Sequence, residues 1–231
     1  MFTPNRWRTP HGNPVTILCR DGTSDGMVTE SILGSDEYGL PQSLTGWALD
    51  IGAHIGVASV ALAVDNPFLR VVAVEPVPDN ADMIRRNAEE NGCSDRVIVV
   101  QAGAAEGPGT GIVRYGFTSA DGLTDEFVAT NRFIGELFRD TPANGEEALV
   151  ETVGLAQLVE RFGPFAWAKT DAEGAEWRFF SDPVANASVS EIVGEYHDRA
   201  WPAIADLLGG THTVTQLLDQ GGTGLFRAVR K

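Results

Sequence analysis

The stretch from Trp47 to Val64 limits the fold of this chain more than any other. An apolar run, Trp47–Ile51, leads into Asp50-Ile51-Gly52-Ala53-His54-Ile55-Gly56 and then into a second apolar run, Val57–Val64. The pattern predicts a buried strand, a tight turn and a helix. Gly52 lets the backbone reverse and approach a ligand, and Gly56 lets the helix begin close to the strand, with Ala53 and His54 forming the turn between them. Backbone N–H groups at such a helix start favour an anionic group. Asp50, at the end of the strand, is placed to meet an ammonium group. The loop therefore suits a zwitterionic amino-acid tail, whereas its leading acid would oppose a pyrophosphate.

Strands and helices alternate around this loop. Val71–Glu75 reads as a second strand, Asp79–Asn91 as an amphipathic helix with Met83, Ile84 and Asn87 on one side and Gly92 as its stop, and Arg96–Gln101 as a third strand. After a helix at Leu155–Phe162 come strands at Phe165–Asp171 and Val189–Tyr196, with a short helix after Gly174 and another at Trp201–Leu208. Thr213–Leu218 and Leu225–Val229 close the chain. The link between them is too short for a parallel crossover, so they must pair antiparallel. The expected fold is α/β and Rossmann-like: a seven-stranded, mostly parallel sheet with a C-terminal antiparallel hairpin and helices on both faces. That is the arrangement of class I methyltransferases.

Two regions interrupt the alternation. Residues 1–40 read as an N-terminal extension, with a short Val15–Cys19 strand and a brief helix capped by Ser24 and ending near Gly34; residues 41–231 read as the main domain. Residues 103–150 read as an insert or substrate lid. It holds a short Ile112–Tyr115 strand, then Phe127, Phe133, Ile134, Leu137 and Phe138 at helix-like spacing.

A second acid supports the first loop. Glu75 ends the second strand about 20 residues beyond the glycines, where a carboxylate can accept both hydroxyls of a ribose. Dinucleotide sites share this acid, so it does not discriminate by itself. The loop does, because G-x-G-x-x-G needs three glycines and only Gly52 and Gly56 are present. Pro76, with Ala102 and Gly103 after the third strand, would flank a flat base.

In such a sheet, ligands bind at the carboxyl ends of the strands near the point where the strand order reverses. The fourth and fifth main strands end in Lys169-Thr170-Asp171-Ala172-Glu173-Gly174-Ala175-Glu176 and in Glu195-Tyr196-His197. Period-two alternation puts Lys169 and Asp171 on one face, and Glu195 and His197 likewise. Carboxylates and an imidazole thus converge on one spot, as acid–base chemistry or a metal would require. The expected catalytic set is His197 as general base with Asp171 and Glu195 orienting it or the substrate. The rival scheme has Asp171, Glu195 and His197 holding a divalent cation such as magnesium. Trp177, just beyond the acidic segment, is a candidate substrate contact.

These residues carry a resemblance. The chain resembles the FkbM-type methyltransferases, marked by a D-x-G-A-x-x-G loop, an E-P pair after the second strand and a K-x-D-x-E-G-x-E segment. Here they read Asp50–Gly56, Glu75-Pro76 and Lys169–Glu176, while Asn87 and Asn91 match the family's paired asparagines. The resemblance runs from about Trp47 to His197, and Lys169–Glu176 is its most specific part. His54 departs from the asparagine more usual there. The resemblance implies methyl transfer from S-adenosylmethionine, usually to an oxygen of a sugar or natural product. Some related enzymes use magnesium.

Composition narrows the partners. The chain has 231 residues, with 32 acidic against 17 basic side chains and a formal charge of −15, so a phosphate backbone is an unfavourable partner and no Lys/Arg-rich run offsets this. The expected acceptor is a small molecule, with no nucleic acid and no membrane. Two cysteines provide neither a disulfide framework nor a zinc-ligand spacing. No apolar run reaches a membrane span, and Met1 precedes polar, Arg-containing sequence, so the expected location is the cytoplasm. The extension and the insert each offer a surface on which a homodimer could form. Two other classes compete: an NAD-dependent oxidoreductase, which the missing glycine disfavours, and a non-catalytic S-adenosylmethionine-binding module, which would not need the polar cluster.

Overall fold

The structure is a computed structural model describing residues 2–115, 132–134, 146–197, 201–219, 221 and 223–231. In chain order, an antiparallel hairpin of β1 (Phe2–Arg8) and β2 (Pro14–Arg20) leads into α1 (Asp25–Thr29), which continues as a π-helical turn, Glu30–Gly34. There follow β3 (Gly46–Ile51), α2 (Val57–Asp65), β4 (Leu69–Val74), α3 (Pro78–Glu90) and β5 (Val97–Val100). A smaller group comprises β6 (Gly103–Ala104), β7 (Gly109–Tyr115), β8 (Arg132–Ile134) and β9 (Glu146–Val153). The rest is α4 (Leu155–Phe162), β10 (Phe165–Thr170), α5 (Glu176–Phe179), α6 (Pro183–Asn186), β11 (Glu191–Tyr196), α7 (Trp201–Gly209), β12 (His212–Asp219) and β13 (Gly224–Arg230).

The main sheet has seven strands in the order β12-β13-β11-β10-β3-β4-β5. The strands from β5 to β11 pair in parallel, and β13 is antiparallel to both neighbours. This is the class I methyltransferase topology expected from the sequence. Strand alternation divides the core in two. Ala48, Val71 and Ala73 pack with α2 and α3 on one face, while Leu49, Ile51, Val72 and Val74 pack against the α4, α5 and α7 side. No helix among the described residues is long and apolar enough to cross a membrane. Cys19 and Cys93 are free and buried.

The first forty residues do more than extend the chain. Val15, Ile17, Ile32, Leu33, Tyr38 and Leu40 belong to the same buried cluster as α2 and α3. The two asparagines of α3 fasten β2 as a neighbouring strand would. Asn87 accepts from the Leu18 N–H at 2.7 Å and donates to the Ile55 carbonyl at 2.8 Å; Asn91 accepts from the Thr16 N–H at 2.9 Å and donates to its carbonyl at 2.7 Å. Ser24 precedes α1 as expected, but its side chain makes no capping hydrogen bond.

The smaller group corrects the reading of the insert. β7 begins at Gly109, and β9 pairs with it antiparallel from Gly109↔Thr152 to Tyr115↔Glu146. Phe133 and Ile134, expected on a helix, lie on β8 paired to β7. β9 was missed because Glu146, Glu147 and Glu151 make it read as polar, although Val150 is buried against Val113 and Val77. Phe127, Leu137 and Phe138 lie outside the described residues.

Asn87→Ala leaves the Leu18 N–H and the Ile55 carbonyl without partners inside the core. The expected cost is about 2–3 kcal/mol in urea unfolding; a loss below about 0.5 kcal/mol would show that Asn87 does not fasten the hairpin.

Candidate active site

The carboxyl ends of β3, β4, β10 and β11 meet the α1–Tyr38 segment around a cavity of about 310 Å³, within the range of small-molecule sites. Its floor is the glycine loop. Gly52 has φ +70° and passes so close to the following loop that a Cβ would lie 1.8 Å from the Asp171 carbonyl oxygen. Only glycine fits there. Gly56 has φ +83°, and a Cβ on it would press on Ile84 of α3, so its small size serves helix packing, away from the cavity. The loop N–H groups are used internally: those of Gly52 and Ala53 donate to the Val74 carbonyl, and that of His54 to Glu75 Oε2.

Glu75 lies just beyond β4, 2% exposed and on the cavity wall. Burial pushes its carboxyl up to about 7, although the Val77 and His54 N–H groups and the Asn80 amide all donate to it. A network ties this acid to the N-terminal segment. The Arg20 guanidinium donates to both Asp25 oxygens and to Asn80 Oδ1, and Asp25 Oδ1 stands 3.5 Å from His54 Nε2. Burial lowers the His54 pKa to about 4, so its ring is neutral at pH 7. His54 also has φ +52°, and its buried Nδ1 has no hydrogen-bond partner among the described residues while the residue lines the cavity.

The opposite wall is acidic. Lys169 is 3% exposed and donates to the Gly52 carbonyl at 2.8 Å; its Nζ lies 3.5 Å from Asp50 Oδ1 and 3.9 Å from Asp171 Oδ2. Burial works against that ammonium, but Asp50, Asp171 and Glu195 hold its pKa above the usual value. Glu176 is fully buried and accepts from the Ala172 and Gly174 N–H groups, shaping the turn in which Glu173 (φ +51°) and Gly174 (φ +99°) are left-handed. His197 sits behind this turn, its Nδ1 3.1 Å from Glu176 and its Nε2 3.3 Å from Glu195. Burial alone would favour the neutral ring, but hydrogen bonds to Glu176 and Glu195 raise its pKa to about 11. Burial raises Asp171 to about 6 despite Lys169, and Glu173 to about 7.

Of the residues singled out in the sequence, Gly52, Ala53, His54, Glu75, Pro76, Asp171 and Glu195 border the cavity. Asp50 does not; it is fully buried under the loop, bonded to Ser59 at 2.6 Å and paired with Lys169. Ala102 and Gly103 are buried and do not border the cavity, whereas Ala104 and Pro76 do. His197 comes together with Asp171 and Glu195, but as an imidazolium, a form with no free base. Trp177 turns its indole N–H to the His197 carbonyl at 2.7 Å. The sequence reading missed Tyr38 and Glu37, which reach the cavity from the N-terminal segment. Their contacts with distant strands leave no trace in local periodicity.

Asp171, Glu173 and His197 offer ligand atoms within 4.8 Å of one another. A cation there would have to displace the Nε2 proton that His197 directs at Glu195, while its Nδ1 faces Glu176, beside the Lys169 ammonium. This donor set does not fit a divalent ion as it stands.

Comparison with known proteins accords with the topology. The T. thermophilus 16S rRNA N2 G1207 methyltransferase RsmC aligns over all of this chain and 51% of its own, with 12% identity and a TM-score of 0.50; this chain thus spans about half its length. The precorrin-6y C5,15-methyltransferase of Geobacter metallireducens aligns over 92% of both chains (12% identity, TM-score 0.47), and a predicted O-methyltransferase of Agrobacterium tumefaciens over 83% of this chain and 76% of its own (14%, 0.44). At 12% identity the likeness to RsmC concerns the fold alone. No curated protein matches the chain in sequence. The methyltransferase FkbM domain model matches residues 50–221, a span running from Asp50 of the glycine loop through Glu75 and the whole Lys169–His197 cluster. The chain belongs to the FkbM family of S-adenosylmethionine-dependent methyltransferases.

Proposed function

We propose that the protein methylates a hydroxyl group of a sugar or other small natural product. The observation carrying this reading is the carboxylate pair, Asp171 and Glu195, on the wall of the same cavity that holds the glycine loop and Glu75. S-adenosylmethionine, when bound, supplies a methyl group already activated on a sulfonium. Glu75 would accept from its ribose hydroxyls, Pro76 and Ala104 would flank its base, and Gly52, Ala53 and His54 would hold its amino-acid end. The orphan Nδ1 of His54 supports that last assignment, since a buried polar atom without a partner calls for one from a ligand. Asp50 acts on the site through Lys169, and Gly56, Ala102 and Gly103 shape it from behind.

An alkyl hydroxyl is a poor nucleophile at neutral pH, so its proton must leave as the C–O bond forms and the S–C bond breaks. Asp171 is the base in this reading: it faces the cavity, and burial raises its pKa to about 6, close to neutrality yet mostly ionised there. The proton ends on its carboxylate. Glu195 orients the acceptor. His197, already protonated, steadies Glu195 and the Glu173 turn by charge. No metal enters this scheme. The charge of −15 and the carboxylate-lined cavity favour a neutral or cationic small molecule over a nucleic acid.

Asp171→Asn is expected to bind S-adenosylhomocysteine in calorimetry within about threefold of wild type, and to lose at least ~100-fold in methyl transfer to an acceptor found by labelled-cofactor incubation with a metabolite extract. Undiminished transfer would remove Asp171 from the mechanism. Binding should also follow pH. Ribose hydroxyls favour the ionised form of Glu75, whose pKa of about 7 exceeds the usual carboxylate value. Affinity for S-adenosylhomocysteine therefore rises as pH climbs through about 7 and weakens up to about tenfold per unit below it. Glu75→Gln should flatten that profile. A wild-type affinity independent of pH between about 5.5 and 8 would refute the Glu75 assignment.

A further inference from the structure

We propose that Tyr38, from the N-terminal segment, is a positioning residue of the methyl-transfer site: its hydroxyl ties the Asp171 and Glu195 carboxylates into one acceptor-facing pair. The proposal rests on the reading of those carboxylates given above, and four observations carry it. The Tyr38 hydroxyl lies 3.2 Å from Asp171 Oδ2 and 3.3 Å from Glu195 Oε1, so one donor spans the ends of two adjacent strands. Tyr38 is 4% exposed, yet it borders the cavity. Its ring carries the Lys169 ammonium 5.4 Å from its centroid, an arrangement that fixes ring and cation together. A built turn aims it: Asp36 (φ +48°) accepts from the Leu40 N–H at 2.9 Å, Gly39 has φ +59°, and the Leu40 carbonyl is held by His11 Nε2 at 2.7 Å.

One phenolic proton cannot serve two carboxylates fully. While it is donated to Glu195, the ionised Asp171 carboxylate is left free to take the acceptor's proton. The pair is surrounded by charged groups from every element packed on it: Lys169 on β10, Glu173 in the following turn, Glu176 on α5, His197 after β11, and Glu37 beside Tyr38. Burial and the two facing carboxylates keep the phenol protonated far above neutral pH, so it acts as a fixed donor. Sequence distance separates Tyr38 from its partners, and it lies outside the 50–221 span that the family model matches.

The test needs no acceptor. In protein labelled with ¹³C at the Asp and Glu carboxyl carbons, Tyr38→Phe is expected to move the apparent titration of Asp171 and Glu195 upward by about half to one unit, through loss of a hydrogen bond to the charged form. S-adenosylhomocysteine affinity should stay within about twofold. Because the ring remains, the core should remain packed. Should that variant nevertheless fold poorly, fluorinated tyrosine at position 38 gives the opposite reading, since a stronger donor should shift the same titration downward. A titration unchanged in whichever protein folds overturns the proposal. If the titration moves but no methylated hydroxyl is ever found, the positioning role stands and the hydroxyl-acceptor reading falls.

Discussion

The site depends on one close contact: the backbone of Gly52 against the carbonyl of Asp171. The two residues end neighbouring parallel strands, β3 and β10, and the separation left between their loops is too small for any side chain at Gly52. Lys169 seals the contact by donating to the Gly52 carbonyl while paired with Asp50 beneath. One buried cation thereby fixes the cofactor-side loop to the strand that bears the proposed base. A buried ion pair of this kind adds little net stability but strongly penalises any arrangement that separates its members. Its value here is geometric.

The charges around the cavity follow from that constraint. Once Asp171, Glu173, Glu176 and Glu195 are brought to two adjacent strand ends, repulsion among them must be offset. Lys169 does so from the sheet and His197 from behind the turn, each held in its charged form by the carboxylates it faces. The histidine is therefore better understood as a fixed positive charge than as a base. The N-terminal segment completes the arrangement from the other side. Arg20 and Asp25 brace His54 and Asn80, and Tyr38 reaches the carboxylate pair.

Much of this was legible in the sequence because it is written locally. The glycines at 52 and 56, the acid at Glu75, the Lys169–Glu176 segment and the short Asp219–Gly224 link lie within or next to single elements, so spacing alone places them on a parallel sheet with a closing hairpin. What was not legible depends on contacts between distant elements. The protonation of His197 is decided by Glu176 and Glu195, which share no local pattern with it. The role of Asp50 is decided by Lys169, and that of Tyr38 by strands far along the chain. The misread insert has the same cause: β9 is a strand through pairing with β7, against a glutamate-rich sequence.

A crystal structure of the protein with S-adenosylhomocysteine tests the central claim most directly. The ribose hydroxyls should lie within about 2.6–3.2 Å of the Glu75 carboxylate, with the sulfur on the side of Asp171, Glu195 and Tyr38. A nucleoside bound elsewhere, or one whose sulfur points away from those three residues, would contradict it.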